Sequence, residues 1–385
     1  METSPAPVPP LDPDQPRDRP RVMLLFGGRS GEHAISCSTA GGVLRAIDRT
    51  KYDVVPVGIT RSGRWVLVDD DPDAWSITDG HLPEVLDGPA QVLLPQSAGD
   101  RDLQVLSNGA PPALLGSVDV VFPLLHGPFG EDGTIQGMLE LVDLRYVGAG
   151  VLASAVGMDK HVMKMVLAGH GLPIAPFTVI RPGEFDRDPQ VWTETVAALG
   201  LPVFVKPARA GSSLGITKVE NLADLPAAIA AAQQHDPKVV VEAGIRGREI
   251  ECAVLGGRPG QPARASQPGE IVVTDTRHGF YDFEAKYLDE AGVQLTCPAD
   301  LPADVLEEVR AIAVRTFDAV GCEGLARVDV FVTPDDGVVV NEINTMPGFT
   351  PFSMYPRMWQ ASGLSYPDLI DELVELALGR PTGLR

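Results

Sequence analysis

The 385-residue sequence predicts an α/β fold: an N-terminal domain on a parallel sheet, then a small β-rich lid domain, then a larger C-terminal domain. Three observations carry this reading. Short apolar runs stop at glycines and give way to helix-like segments, as where Arg21–Phe26 meets Gly27-Gly28 and then Ile35–Ile47. At roughly 100–200 residues per domain the length suggests two or three domains. The composition, 44% hydrophobic and 22% charged, is that of an ordinary globular chain and excludes fibrous or wholly disordered ones.

Residues 1–20 hold seven prolines and few core-forming side chains, so a disordered tail is expected there. The first domain, 21–150, then takes a strand at 21–26, a helix at Ile35–Ile47, a strand at Val54–Ile59 and a Val-rich strand at Val118–Leu125 that ends in His126-Gly127-Pro128. Between about 69 and 112 the chain is rich in Asp, Gly and Pro and reads as an insertion, with a hairpin as its simplest form. A helix follows at Thr134–Leu141. The second domain, 151–245, opens with a helical segment from Met158 to Leu167 and has strands at Phe177–Ile180, Val203–Lys206 and Val239–Glu242, with an Ala-rich helix at Leu222–Gln234. The third, 246–385, carries strands at Ile250–Leu255, Ile271–Thr274, Val328–Val332 and Val338–Glu342, and a helix at Ala303–Val320.

Charge and cysteine usage narrow the function. With 31 basic against 52 acidic residues the net charge is −21, and lysine occurs seven times, so a broad surface for nucleic acid is not expected. The four cysteines, Cys37, Cys252, Cys297 and Cys322, form no C-x-x-C pair, which points away from a disulfide framework or structural zinc and toward a reducing cytoplasm. No signal-peptide or membrane-spanning stretch is visible, so no membrane association is expected.

Several residues carry chemistry. Lys206 ends an apolar strand and precedes the loop Gly211-Ser212-Ser213-Leu-Gly215, an arrangement that can cradle phosphate through backbone amides and hydroxyls. Alone, such a loop is more often a ligand-free turn; a scarce lysine directly before it shifts the reading toward phosphate. Lys160 starts a helix after Met158-Asp159, and reads equally as a solvated helix end. Arg327-x-Asp329 lies on one strand, and Asn341-Glu342-Ile-Asn344 leads into Pro347-Gly348 on the next. Residues two apart on a strand share a face, so Arg327 with Asp329, and Glu342 with Asn344, converge on one site. An oxygen-only set suits a hard cation such as magnesium, and an adjacent arginine suits developing oxyanions. Glu242 and Glu249 flank a short glycine-bearing crossing; they suit a ribose and an adenine edge, or simply a solvated acidic linker. Gly27-Gly28-Arg-Ser30-Gly31-Glu32 lacks the spacing of a dinucleotide loop. His126 stands at a strand end before a helix, a position as compatible with a ligand as with a structural role.

Taken together, GGRSGEHAIS at 27–36, HGPFGEDGTIQG at 126–137, MDK at 158–160, VKPARAGSSLGI at 205–216, YDFEAKY at 281–287 and GLARVDVF with NEINTMPGFT between 324 and 350 resemble the D-alanine:D-alanine ligases of the ATP-grasp superfamily, over roughly residues 21–375. The resemblance implies an ATP-grasp fold with ATP between the second and third domains. It implies ATP-dependent joining of two D-alanines, through a D-alanyl phosphate, for peptidoglycan precursors. Ligation of D-alanine to D-lactate or D-serine is the alternative. By the same resemblance Lys160, Lys206, Ser212 and Ser213 would meet ATP phosphates, Glu242 and Ile245 the adenine through their backbones, and Glu249 the ribose. Asp329, Glu342 and Asn344 would hold two Mg2+ or Mn2+, with a monovalent cation as a further candidate. Lys286, on a mobile loop from about Asp275 to Cys297, would meet the transferred phosphate. Glu32 would hold the first D-alanine's ammonium, linked through Ser212 to Tyr287, and His126 would lie near its carboxylate. Arg327 and the Gly348 amide would form the oxyanion site, and Ser353 with the Met354 amide would take the second carboxylate. A homodimer is common in such ligases. The chain departs from the usual pattern at Ala243, where many relatives carry lysine, at Met354 in place of leucine, and at Ala210 in place of an acidic residue.

Overall fold

In the computed structural model, which describes residues 18–77, 82–107, 111–211, 214–273 and 293–382, the run Arg21-Val-Met-Leu-Leu-Phe-Gly becomes β1 (Arg21–Gly27), buried along its whole length. A strand reads as one continuous apolar run when both its faces are covered and it lies inside a parallel sheet. β1 does so, running parallel to β2 (Asp53–Ile59) on one side and to β7 (Val120–Pro123) on the other. Beyond β2 the sheet turns antiparallel, through β3 (Trp65–Leu67), β4 (Ala90–Leu93), β5 (Asp102–Ser107) and β6 (Ala113–Ser117), in the order β6-β5-β4-β3-β2-β1-β7. The sheet is therefore mixed; its parallel character is confined to the three strands with the strongest apolar runs. The stretch rich in Asp, Gly and Pro supplies β4 and β5, paired antiparallel with Val92 opposite Val105. Helix α1 (His33–Ala46) covers β1, and α2 (Thr134–Leu141) spans the predicted interval.

Residues cluster by proximity into two units, one of 1–126, 135–147 and 370–385, the other of 127–134 and 148–369. Within the first, the Tyr52 hydroxyl donates to Asp371 and Lys51 pairs with the same carboxylate at 2.8 Å, which ties the C-terminal helix to the loop before β2.

Gly27 ends β1 at φ +89°, and a Cβ there would stand 2.4 Å from the Ile59 carbonyl oxygen. An L side chain dislikes that φ, and the obstacle is backbone rather than a movable side-chain tip. Gly27→Ala is expected to lower stability by about 2–4 kcal/mol, read as a shifted midpoint in urea or thermal unfolding. An unchanged midpoint would mean that β1 and β2 can part at no cost.

The second unit begins with α3 (Val151–Met158) and α4 (Lys160–Gly169). The single helical segment expected over Met158–Leu167 is thus split at Asp159. Its backbone is extended, and its carboxylate accepts from the His161 and Val162 amides at 3.1 and 3.2 Å, so it ends one helix and caps the next. A four-stranded sheet follows in the order β10-β9-β11-β8, from β8 (Phe177–Ile180), β9 (Val203–Pro207), β10 (Thr217–Val219) and β11 (Val239–Ala243). Val203, Val205, Val239 and Val241 face a core completed by Leu225, Ile229 and Ala232 of α7 (Leu225–Gln233) and by Phe185 and Val196 of α5 (Glu184–Arg187) and α6 (Pro189–Ala197). A 3-10 turn at Leu222–Asp224, capped by Asn221, precedes α7, because proline follows one residue into the helix.

The third sheet contains β12 (Arg248–Leu255), β13 (Arg264–Ala265), β14 (Gly269–Val273), β15 (Val293–Thr296), β16 (Leu325–Val332) and β17 (Val338–Asn344), ordered β15-β14-β12-β16-β17 with β13 on β12. One face packs Ile250, Cys252, Val328, Val330 and Val340 against Val309, Ile312 and Phe317 of α8 (Ala303–Ala319) and against Met163 and Leu167 of α4. Helices α9 (Met354–Ala361) and α10 (Tyr366–Leu378) follow. Among the described residues no helix is long and apolar enough to cross a membrane.

Candidate active site

In the first unit the candidate residues gather at the C-terminal ends of β1 and β7, which are neighbours and parallel. Ligands of α/β proteins settle outside the carboxyl ends of such strands. The Gly27–Glu32 loop is tied down by its own polar groups. Ser30 Oγ donates to the His126 carbonyl at 2.7 Å and accepts from the Glu32 amide at 3.2 Å. His33 is fully buried; its Nδ1 lies 2.6 Å from the Gly28 carbonyl, and its Nε2 accepts from the Val85 amide at 2.9 Å. Those partners require a neutral ring protonated at Nδ1. His126 lies in this same cluster, with Nε2 3.2 Å from Thr39 Oγ1. Glu32 and His126 are thus brought to one end of one sheet, where Glu32 occupies the residue before α1.

In the second unit strand alternation does most of the positioning. Along β9, Val203 and Val205 are buried while Phe204 and Lys206 turn to the opposite face. Lys206 is opposite Val240 and Phe204 opposite Glu242 in the β9–β11 register, so Lys206 and Glu242 share that face. Lys206 Nζ donates to Glu242 Oε2 at 2.9 Å. The capped start of α4 presents Lys160 nearby. Its amide donates to the Ala208 carbonyl at 2.9 Å, and its ammonium reaches the Ala210 carbonyl at 3.2 Å and Glu342 at 3.1 Å. Burial would discharge this ammonium, but Glu342, joined by Glu242 and Glu131, raises it above the ordinary lysine value. Asp159, which caps the helix, is itself paired with Lys238.

One turn further along α4 stands Lys164, fully buried, with its Nζ 3.4 Å from Glu242 Oε1 and 5.9 Å from the Phe177 ring centre. Glu242 therefore lies between two lysines. Burial pushes its carboxyl up, yet Lys206 and then Lys164 hold it below the usual carboxylate range.

The third sheet aligns its charged residues in rows across strands. Glu251, Asp329 and Glu342 are direct neighbours on β12, β16 and β17, and Arg327 lies opposite Asn344 in the next row of the same face. Arg327 Nε and Nη2 each donate to an Asp329 oxygen at 2.7 Å, and Nε is 3.1 Å from Glu251. Burial alone would favour the neutral guanidine; Asp329, and after it Glu251, raise Arg327 well above its ordinary value instead. Asn344 Nδ2 donates to Asp329 at 2.9 Å. A bulge makes this row possible: Asp329 pairs with Glu342 but Val330 with Val340, which leaves Asn341 extra. Val338, Val340 and Ile343 then all face the core while Glu342 and Asn344 face the other way.

The remaining candidates fall nearby along the chain. Ile245 lies in the crossing between β11 and β12, where a Cβ on Gly244 or Gly247 would come within 2.8 Å of the Pro202 or Val332 carbonyl oxygen. Glu249 is on β12, two residues before Glu251. Ser353 Oγ accepts from the Thr350 amide at 3.1 Å, and a Cβ on Gly348 would lie 3.1 Å from that hydroxyl oxygen, which makes Gly348 and Ser353 close neighbours at the start of α9. The Met354 side chain packs inward over Gly269. Of the departures, Ala210 offers its carbonyl to Lys160, and neighbouring Arg209 anchors the loop through a two-pronged pair with Asp236 at 2.8 Å. Ala243 donates its amide to the Pro176 carbonyl. Ser212, Ser213, Lys286 and Tyr287, the loop residues 275–292 and the tail residues 1–17 lie outside the described residues.

Among the described residues no group of three or more His, Cys, Asp or Glu side chains is gathered for a metal ion. Asp329, Glu342 and Asn344 form an all-oxygen set of two carboxylates and one amide, which fits magnesium completed by substrate phosphate and water. Two participants escaped sequence reasoning, Lys164 and Glu251. The signal for Lys164 was its place four residues after Lys160 in a lysine-poor chain; for Glu251 it was a carboxylate inside an otherwise apolar strand.

Residues 21–149 match the family model described as D-ala D-ala ligase N-terminus, and residues 166–375 the one described as D-ala D-ala ligase C-terminus. The chain is 63% identical over 374 residues to a D-alanine–D-alanine ligase of Kineococcus radiotolerans, covering 95% of this chain and 99% of that one. It is 60% identical over 367 residues to the ligase of the same description from Arthrobacter sp. strain FB24, covering 95% and 96%. Among solved structures, the D-alanine-D-alanine ligase from Coxiella burnetii is 36% identical with a TM-score of 0.77, covering 94% of each chain. The VanG D-Ala:D-Ser ligase from Enterococcus faecalis is 34% identical with a TM-score of 0.79, covering 94% of this chain and all of that one.

Proposed function

The chain belongs to the D-ala D-ala ligase family, and from that membership we propose that it joins two D-alanines at the expense of ATP to supply peptidoglycan precursors. The observation that carries the reading is the row of charges described above, with Lys160 and Lys206 held by Glu342 and Glu242 and Arg327 held by Asp329 and Glu251. Phosphoryl and acyl transfer need such a site, because charge moves onto oxygens that must already face cations.

In the proposed sequence a carboxylate oxygen of the first D-alanine bonds to the γ-phosphorus of ATP as the bond to ADP breaks, giving D-alanyl phosphate. The amine of the second D-alanine, having lost a proton, then attacks the acyl carbon and inorganic phosphate leaves. Lys160 and Lys206 exchange their resting carboxylates for ATP phosphates, with Ser212 and Ser213 beside them. Asp329, Glu342 and Asn344 would hold two magnesium or manganese ions, which supply neutralisation of the triphosphate's charge. Glu242 and Ile245 offer backbone groups to adenine and Glu249 its carboxylate to ribose. Glu32 holds the first ammonium, His126 lies by its carboxylate, Arg327 and the Gly348 amide face the oxyanion, and Ser353 with the Met354 amide takes the second carboxylate. Lys286 and Tyr287 keep the roles the family pattern implies, toward the transferred phosphate and the acceptor side. A homodimer in the cytoplasm completes the proposal.

The test is phosphate release on mixing enzyme, ATP, magnesium and D-alanine, with products separated by chromatography and D-serine and D-lactate offered in competition. D-Alanyl-D-alanine in step with phosphate is expected. ATP hydrolysis without dipeptide would overturn the reading. A main product containing D-serine or D-lactate would favour the alternative acceptors, which the likeness to a D-Ala:D-Ser ligase makes worth including.

A further inference from the structure

His33 is not among the residues given a role above, yet it is a polar ring fully enclosed and bonded at both nitrogens. Burying such a ring is costly unless each nitrogen finds a partner, and here the two partners are backbone groups of different segments. Nδ1 lies 2.6 Å from the Gly28 carbonyl oxygen, in the turn that leads to Glu32. Nε2 accepts at 2.9 Å from the Val85 amide, in the Asp-, Gly- and Pro-rich stretch before β4. We propose that His33 is a positioning residue for the first D-alanine: its ring bridges the Val85 segment to the Gly28 turn and so fixes where the Glu32 carboxylate stands. The inference rests on the reading that Glu32 holds the first ammonium.

The bond to Gly28 closes a short ring of chain around Glu32. The Gly28 peptide is held at both polar groups, its amide donating to the Ile59 carbonyl at 2.7 Å and its carbonyl meeting His33. Glu32 lies inside that ring, beside His33, with its own amide on Ser30 Oγ. The backbone from which its carboxylate extends therefore moves only as the ring moves. At the other end, Val85 is seated directly on the strands that lead into the turn. A Cβ on Gly58 would stand 2.5 Å from the Val85 side chain, and one on Gly27 2.9 Å. The same Val85 amide faces Cys37, further along α1; burial pushes that thiol up to about 12, and the amide works against the rise. Two glycines beneath the side chain and two α1 residues at the amide make a seat fitted to this segment. A ring kept solely to fill space would be served by leucine, with no nitrogen to satisfy. Placement matters because an ammonium is gripped through directed hydrogen bonds, and a displacement of about 1 Å in such a group can cost on the order of a hundredfold.

The experiment compares wild type with three variants. His33→Leu loses both bonds; His33→Asn keeps a donor for Gly28 but does not reach Val85; His33→Gln offers an acceptor to Val85 but leaves Gly28 unbonded. Steady-state kinetics, with separate Michaelis constants for the two D-alanines and for ATP, is read beside thermal melting. In His33→Leu the constant for the first D-alanine is expected to rise by about tenfold or more. The constant for ATP should change less than about twofold, because the described residues proposed to meet ATP all belong to the second unit and His33 to the first. Each half-bridge variant should fall between wild type and His33→Leu. A first D-alanine constant that rises no more than that for ATP, or one that stays unchanged while melting falls, overturns the proposal in favour of packing. So does a half-bridge variant with the wild-type constant, since a bridge needs both ends. Should His33→Leu not fold, His33→Asn and His33→Gln decide on the same terms. Glu32→Gln separates the premise from the inference: an unchanged first D-alanine constant there overturns the role of Glu32, and a wild type that makes no dipeptide overturns the functional reading itself.

Discussion

Glu342→Gln is expected to cut turnover about a thousandfold while the protein stays folded. The substitution keeps the side chain's length and one acceptor oxygen but removes the charge. In the resting enzyme Glu342 is the partner of Lys160 at 3.1 Å and the cross-strand neighbour of Asp329. On the proposed reading both relations change together when substrate binds: Lys160 turns to phosphate, and the freed carboxylate faces the proposed magnesium. Removing one charge-stabilising group from a transferring centre typically costs a factor of roughly 10²–10³. The loss here falls at the upper end, because Glu342 is one of the two carboxylates in the proposed metal set. The magnesium concentration for half-maximal activity should rise, and saturating magnesium should not restore the rate. Steady-state kinetics across a magnesium series checks both; near-normal turnover at saturating magnesium would remove Glu342 from the site.

Fold and site were legible in the sequence wherever one local signal decided the outcome. The helix at Thr134–Leu141 and the strand at Phe177–Ile180 fall where apolar periodicity places them. Lys206 and Arg327-x-Asp329 were visible because alternation along one strand fixes which side chains share a face. Features set by pairing between distant segments were not. The antiparallel half of the first sheet comes from short strands separated by Asp, Gly and Pro, whose partners no local pattern names. Asn341 is a bulge only because Val330 pairs with Val340, and without that shift Glu342 would face the core. Asp159 looked like one residue of a continuous helix, yet a carboxylate that can cap two amides and pair with Lys238 ends one helix and begins another. Lys164 was hidden in the apolar run Val162–Val166, and Glu251 in Ile250–Leu255. In both, the neighbours argue for core, and only the cross-strand and cross-helix partners show a charge buried for a purpose.

Arg327→Lys is expected to be nearly as damaging as Glu342→Gln and to fail in a different way. Arg327 spans two carboxylates, with two donors to Asp329 at 2.7 Å and its Nε 3.1 Å from Glu251. A lysine carries the same charge as a single compact ammonium and cannot make this fork. Glu251, which is buried, and Asp329 are directly opposed across β12 and β16, so without the fork they would repel one another. Breaking a buried ionic arrangement in this way costs on the order of 3–5 kcal/mol when a charge is left uncompensated; the retained ammonium should reduce that to about 2 kcal/mol. Turnover should fall by roughly 10²–10³, the usual effect of losing one oxyanion donor, since a shifted ammonium no longer faces the oxygen where charge develops. The two losses should separate on adding ligand. On the proposed reading, magnesium bound together with ATP brings positive charge to Asp329, so the difference in melting temperature between variant and wild type should narrow, while the difference in turnover persists. Thermal melting with and without magnesium and ATP, beside kcat and KM for D-alanine, measures both. A variant whose turnover stays within tenfold of wild type would show that Arg327 only holds the two strands together, and that the oxyanion is stabilised elsewhere.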